Sequence, residues 1–441
     1  MDHRFRSPAG RLSVGLATLL CLPASWVVGS SCLCGTAADD LVAARAGLQR
    51  EWIVQVPFDS GRWRLDRVVV GRDLVVAEAG DGTLAAISTG AAAAPGTVLW
   101  SRPGDGSRFP IESVGIGSDS VAAVRGSSLT TIDAATGRTI WSRPLPASAS
   151  AAAVPAGGSI YAPTGSSTIA KLPERPATMT VAEAVAEARA APAAGSDPAA
   201  ADRYEMLSSP GGIDLAPLPY ENGILWCTSG GRLVAEVTED DRTNRLEFDL
   251  GGSPSGPPVV RGGDVFVATT AGDVARIARS PSGFRATTGV GRDSNGDPVP
   301  YTGWHTVVDG QPEGGPIVGD GTVVVSLGPS GLAAFDTETG ELRWKSSCAG
   351  KPLVIIDGRV WCIDATGFLS ARDLQTGRRV ARMRLGCLTV PVVDPRGERL
   401  VLASPEGLVV SLAGRRTVPA KPPVPAPGPL TSEEGPSAAA D

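Results

Sequence analysis

Ala334-Phe-Asp336-Thr-Glu-Thr-Gly340-Glu-Leu-Arg-Trp344 decides how the rest of this 441-residue chain is read. The Asp carboxylate can accept backbone N–H bonds from the residues just after it, and the Gly is free to take positive φ. Together they predict a strand, a tight turn and a second strand. The Trp four residues beyond the Gly is then placed to wedge its ring between neighbouring units. Thr131-Ile-Asp133-Ala-Ala-Thr-Gly137-Arg-Thr-Ile-Trp141 repeats the pattern. A third copy, Ala371-Arg-Asp373-Leu-Gln-Thr-Gly377-Arg, has Ala381 where the Trp falls. Trp100 ends an earlier unit without the Asp-x-x-Thr-Gly.

Around these turns one small unit keeps returning. Residues 68–77, 257–268, 316–326 and 353–363 are each two short apolar strands about a Gly, Asp or Asn turn, the chemistry of a tight hairpin. A third strand follows at 82–87, 272–277, 331–335 and 407–412. Eight units start near residues 66, 113, 152, 213, 257, 315, 351 and 389. Most steps are roughly forty residues, the period of propeller blades. The two longer steps hold insertions. One, at 173–202, is Ala/Glu-rich with a capping-box start at Thr180 and Glu183, which predicts a short helix. The other, at 291–314, reads as a Gly/Asp/Pro-rich loop. The expected fold is all-β: an eight-bladed β-propeller of four-stranded antiparallel blades, spanning 51–415, with a short helical insertion. The last unit has only three obvious strands. Trp52, Val54, Val56 and Phe58 alternate onto one face, so the first segment is expected to supply the missing outer strand and close the ring.

The Asp-x-x-Thr-Gly-x-x-x-Trp signature resembles that of the PQQ-like β-propeller family, over about residues 51–415. That family includes quinoprotein dehydrogenases and the propeller lipoprotein of the bacterial β-barrel assembly machine. For the dehydrogenases the resemblance implies a quinone stacked on a Trp, capped by a disulfide between adjacent cysteines, with Ca²⁺ and a catalytic Asp. This chain has no adjacent Cys pair, Cys32-Leu-Cys34 being the nearest, and no haem-attachment Cys-x-x-Cys-His. None of those site residues can be carried over. The resemblance therefore implies the fold more than an activity.

The ends read differently. Arg4, Arg6 and Arg11 precede an apolar run from Leu12 to about Val28, interrupted by Pro23. Residues 1–37 are thus expected to be an export signal or an N-terminal membrane or lipid anchor. Cleavage points are offered at Gly29-Ser30-Ser31 and Gly35-Thr36-Ala37. Cys32 is a candidate for lipid attachment, although Gly29 stands where lipoprotein signals want a Leu-like residue. Residues 38–50 read as a linker, and the Pro-rich tail 416–441 as disordered. The net charge of −6, with no basic cluster among aromatics, disfavours nucleic acid.

Chemistry-bearing residues are sparse. Apart from His3 in the leader, His305 is the only histidine, read as lying alone in the second insertion, exposed or hydrogen-bonded. Asp293, Asn295 and Asp297 have the alternating oxygens of a calcium loop but lack its downstream Glu, so an Asx turn is expected. Glu239-Asp-Asp241 reads as a solvated hairpin tip. Cys227 and Cys362 follow Trp226 and Trp361 at equivalent strand positions and are expected as buried thiols. Cys348 and Cys387 hold matching places in neighbouring units, which allows a disulfide if their Cα atoms come within about 7 Å. The reading is a non-catalytic, monomeric envelope scaffold, without cofactor, metal or catalytic residues. It presents a face or its insertions, with Tyr204, Tyr301 and Trp304 as exposed contacts, to a protein or envelope polymer. The alternatives are a quinoprotein-like oxidoreductase, or another cofactor- or metal-dependent enzyme, or a small-ligand sensor using the central channel.

Overall fold

The computed structural model describes residues 37, 39–104, 106, 111–175, 205–239, 242–278, 290–292, 298–300, 302–348, 350–394, 397 and 399–414. Its strands form eight antiparallel sheets, one per repeat unit. Blade 1 runs β2 (Leu65–Val70), β3 (Leu74–Ala79), β4 (Leu84–Ser88) and β5 (Val98–Arg102) from the axis outward. Blade 2 runs β6 (Ile111–Ile116), β7 (Ser120–Arg125), β8 (Ser128–Asp133) and β9 (Thr139–Pro144). Blade 3 holds β10 (Val154–Ala156), β11 (Ser159–Thr164), β12 (Thr168–Pro173) and β13 (Glu205–Ser208). Blade 4 holds β14 (Leu218–Tyr220), β15 (Gly223–Cys227), β16 (Arg232–Glu239) and β17 (Arg242–Asp249).

Blade 5 comprises β18 (Val259–Arg261), β19 (Asp264–Ala268), β20 (Asp273–Ala278) and β23 (Thr302–Val307). Between its last two strands lies a hairpin, β21 (Val290–Arg292) and β22 (Pro298–Pro300), which joins blade 4 as a fifth and sixth strand. Blade 6 is β24 (Ile317–Gly319), β25 (Thr322–Ser326), β26 (Leu332–Asp336) and β27 (Leu342–Ser346). Blade 7 is β28 (Gly350–Ile356), β29 (Arg359–Asp364), β30 (Phe368–Asp373) and β31 (Arg379–Arg384). Blade 8 joins β32 (Val390–Pro391), β33 (Leu400–Ala403) and β34 (Leu408–Gly414) to the first strand of the chain, β1 (Leu48–Gln55). The expected closure is therefore made: Ile53 pairs with Val410 and Gln55 with Leu408. Trp52, Val54 and Val56 are buried and Phe58 is half-buried.

Second and third strands are covered on both faces by adjacent blades. That is why β3, β4, β15 and β25 are buried at every residue and are mostly apolar, with Glu78, Ser88, Thr322 and Ser326 buried among them. Each fully buried Val or Leu contributes about 1.5–3 kcal/mol. Outer strands have one free edge and alternate, as β1 does.

Two boundaries differ from the sequence reading. Residues 38–50 are not a bare linker: α1 (Asp40–Arg45) forms behind an Asp39 cap, and β1 starts at Leu48. Ala43, Ala46 and Leu48 pack with Trp361 and Met383, and Ala381 packs against the same cluster. This helix fills the space that the absent Trp leaves at Ala381. Residues 291–314 are not one loop either, since they contain β22, most of β21 and all of β23. Of the expected helical insertion only 173–175 are described, as the end of β12 and the turn after it. The leader to residue 36 and the tail from residue 415 lie outside the described residues. No described helix is long and apolar enough to cross a membrane.

Candidate functional site

The signature turn builds the seams between blades. Asp336 Oδ1 accepts from the Glu338 and Thr339 N–H groups at 2.8 and 3.0 Å, and Gly340 follows at φ +72°. Asp133 and Asp373 hold the Thr136 and Thr376 N–H groups the same way. Each such turn seats the Trp of the preceding blade. Trp100, Trp304 and Trp344 donate their indole N–H at 2.8 Å to Ala134, Thr337 and Leu374 carbonyls respectively. A Cβ on Gly137, Gly340 or Gly377 would stand 2.5–2.6 Å from those rings, so the signature Gly is required for close approach as well as for its φ. Asp336 is held well below the usual carboxylate range, at about 2, by the Arg343 guanidinium at 2.6 Å and by the backbone donors.

Trp304 is thus not an exposed contact. It is buried, with Gly340 of blade 6 against its ring. His305 lies beside it on strand β23 rather than in a loop, exposed, with Nε2 2.7 Å from Asp273 Oδ1. Because side chains alternate along a strand, the buried Trp304 turns its neighbour outward. Tyr204, Tyr301, Asp293, Asn295 and Asp297 lie outside the described residues, as do Asp240 and Asp241. Glu239 and Arg242, the last residue of β16 and the first of β17, are register partners. Cys227 and Cys362 are buried, the former pushed up to about 12 by desolvation. Cys348, after β27, and Cys387, after β31, hold matching inter-blade positions, but no disulfide joins them.

A site at the ring axis can be tested against the quinone that the fold family implies. The described tryptophans stand on outer strands (Trp52, Trp100, Trp141, Trp304, Trp344), on second strands (Trp226, Trp361) or just ahead of β2 (Trp63). None stands on an inner strand to supply a stacking floor. Among the described residues the cysteines include no adjacent pair, and no group of three or more His, Cys, Asp or Glu could hold a metal. These residues do not fit a quinone.

What stands out is one face. Successive antiparallel strands place the turn after the first strand and the turn after the third at the same end of every blade. In blades 3 and 5 the third-to-fourth connection is long, and in blade 4 the two strands it joins are lengthened. Blade 3 takes the long link from Arg175 to Glu205, and blade 5 the one from Ala278 to Thr302. Between them β16 and β17 run to eight residues each, where the third strands of blades 1, 2, 6 and 7 have five or six. Hairpin β21–β22 docks edge to edge on β17, with Glu247 opposite Arg292.

Beneath this face, the seam between blades 3 and 4 carries charge. Lys171 pairs with Glu205 at 2.8 Å and Arg245 with Glu247 at 3.0 Å. Arg245 also donates to the Ser208 carbonyl and lies over the Trp226 ring, 5.5 Å from its centroid. Burial raises the Glu236 carboxyl above its ordinary value, against the pull of Arg245 and Lys171. Sequence reading missed this cluster, because its members come from four strands with no motif between them.

A family model described as outer membrane protein assembly factor BamB matches residues 54–172 and 297–415, more than half of the chain. The chain belongs to the BamB family of PQQ-like propellers. Among solved structures, BamB from Moraxella catarrhalis is 18% identical over 84% of this chain and 98% of that one, with a TM-score of 0.57. The computationally designed Ika8 protein is 12% identical over 83% and 99%, with a TM-score of 0.51. At such identities both likenesses speak for the fold alone. No curated protein sequence matches the chain. The BamB-family match spans blades 1 and 2, most of blade 3, the end of blade 5 and blades 6–8, and leaves out 173–296, which holds blade 4, the first three strands of blade 5, the long connection of blade 3 and most of that of blade 5. The enlarged face is therefore where this chain departs most from the family pattern.

Proposed function

We propose that this BamB-family propeller is a non-catalytic protein-binding scaffold of the bacterial cell envelope, exported by its N-terminal segment and held there as a periplasmic or anchored protein. Its partner docks on the face that carries the long connections of blades 3 and 5 and the lengthened hairpin of blade 4. The observation that carries the reading is that blades 3 and 5 carry long third-to-fourth connections on one face, with the lengthened β16–β17 hairpin of blade 4 between them, whereas blades 1, 2, 6 and 7 make the same connection in nine residues or fewer. Family membership supports it, since the matched family is described as an outer membrane assembly factor. Recognition loops on a rigid ring are a general way of building an interface.

The test uses two replacements that preserve the ring. Ala278 and Thr302 are register partners, so a two-residue turn can replace 279–301. A short Gly-Ser link can replace 176–203, keeping Glu174, whose carbonyl accepts the Trp141 indole. Polypeptides retained by the tagged chain from its native envelope are then compared. The expected result is loss of the main partner from one or both variants. Unchanged retention by both would remove this face from consideration.

A further inference from the structure

Strand β31 carries a second feature. Arg378, Arg379, Arg382 and Arg384 are all exposed along this outer edge of blade 7, in a chain whose net charge is −6. Arg382 is occupied: it pairs with Asp364 at 3.0 Å and lies 3.9 Å over the Phe368 ring. Arg378, Arg379 and Arg384 have no ion-pair partner among the described residues. The nearby Asp373 carboxylate is taken up by its own turn, accepting from Gln375, Thr376 N–H and the Thr376 hydroxyl. Behind the row, Arg379 is the register partner of Arg372, a like-charge pairing that disfavours the strand unless an anion approaches. Val380 stands half exposed within the row.

The edge itself accepts backbone. β31 ends its sheet, and the Ala37 N–H already donates to the Arg384 carbonyl at 2.7 Å. Elsewhere in the same molecule an outer strand, β17, is extended by a further strand, with Glu247 and Arg292 as register partners. Among the described residues no further strand pairs with this edge, and apart from the Arg384 carbonyl its outward backbone groups, set between guanidiniums without an ion-pair partner, match an extended chain bearing carboxylates.

We propose that β31 is a docking edge for an extended acidic segment of a partner protein, added as a further strand to blade 7. This rests on the scaffold reading only in taking the occupant to be a polypeptide, and it places a second contact away from blades 3–5. A membrane surface is disfavoured because the free arginines line one strand edge.

Three probes are offered to the full chain: a fluorescent peptide alternating Glu and Val, its Gln counterpart, and phosphatidylglycerol vesicles. The Glu peptide is expected to bind, to weaken with salt, and to slow hydrogen exchange at residues 379–384. Arg379→Glu with Arg384→Glu, both exposed positions, should lower its affinity by about tenfold or more while leaving the unfolding midpoint near that of the unchanged chain. Equal binding of the Gln peptide, protection elsewhere, or binding of the vesicles alone would overturn the proposal. The same double variant is then used to capture envelope partners. Full retention of the partner would overturn the β31 assignment and leave the scaffold reading standing. If the unchanged chain retains no polypeptide, both fail.

Discussion

Trp304 closes the seam between blades 5 and 6 by laying its ring against Gly340 and giving its indole N–H to the Thr337 carbonyl at 2.8 Å. Arg276 reinforces the join, pairing with Asp264 in its own blade at 2.7 Å and with Glu338 across the seam at 2.6 Å. The signature turn is thus a socket, and the ring is closed by sockets filled in succession.

That geometry separates two costs of replacing a glycine. Gly340→Ala meets both a positive φ and the Trp304 ring, and should lower stability by about 3 kcal/mol. Gly358→Ala meets the φ of +68° but nothing within 4 Å, and should cost about 1 kcal/mol. Urea unfolding midpoints compare the two. Equal losses would mean that the ring contact contributes nothing.

Asp336 links the socket to acidity. Its folded pKa, about 2, lies below the ordinary 3.8, so its contribution is present above pH 4 and is lost as pH falls toward 2. Asp336→Asn should therefore be less stable than the unchanged chain at pH 7, with the gap narrowing in that acid window. A gap that stays constant from pH 7 to pH 2 would refute the ion-pair account.

Glu236 has the opposite sign. Burial raises its carboxyl, which makes the ionised form unfavourable in the folded state. Stability from this group is present at low pH and is lost as pH rises through the folded value. Glu236→Gln should raise the unfolding midpoint at pH 7 and leave it unchanged near pH 3. A drop at pH 7 would mean that Arg245 and Lys171 outweigh the burial.

The cysteines sort by access. Cys348 is exposed, whereas desolvation suppresses the thiolates of Cys227 and Cys362. Alkylation followed by peptide mass mapping should label Cys348 within minutes, and Cys227 and Cys362 only in denaturant.

Much of this was legible in the chain. The apolar runs, the hairpin turns and the Asp-x-x-Thr-Gly signature specify eight blades, because each is a local rule that the packed ring also obeys. Trp304 reads in the sequence as an exposed contact because the long connection ahead of it removes the preceding Asp and Gly. Its spacing of 40 residues from Trp344, against 41 between Trp100 and Trp141, was the available signal. Helix α1 was hidden because its Ala-rich face is informative only once Ala381 is seen to leave a gap. The charged seam between blades 3 and 4 depends on strands far apart in sequence, and no spacing rule reaches it.

The most direct test is native mass spectrometry of the chain purified gently from its own envelope. The account predicts the mass of the propeller plus at least one polypeptide partner. A propeller carrying only the added mass of a quinone or a metal ion would contradict it.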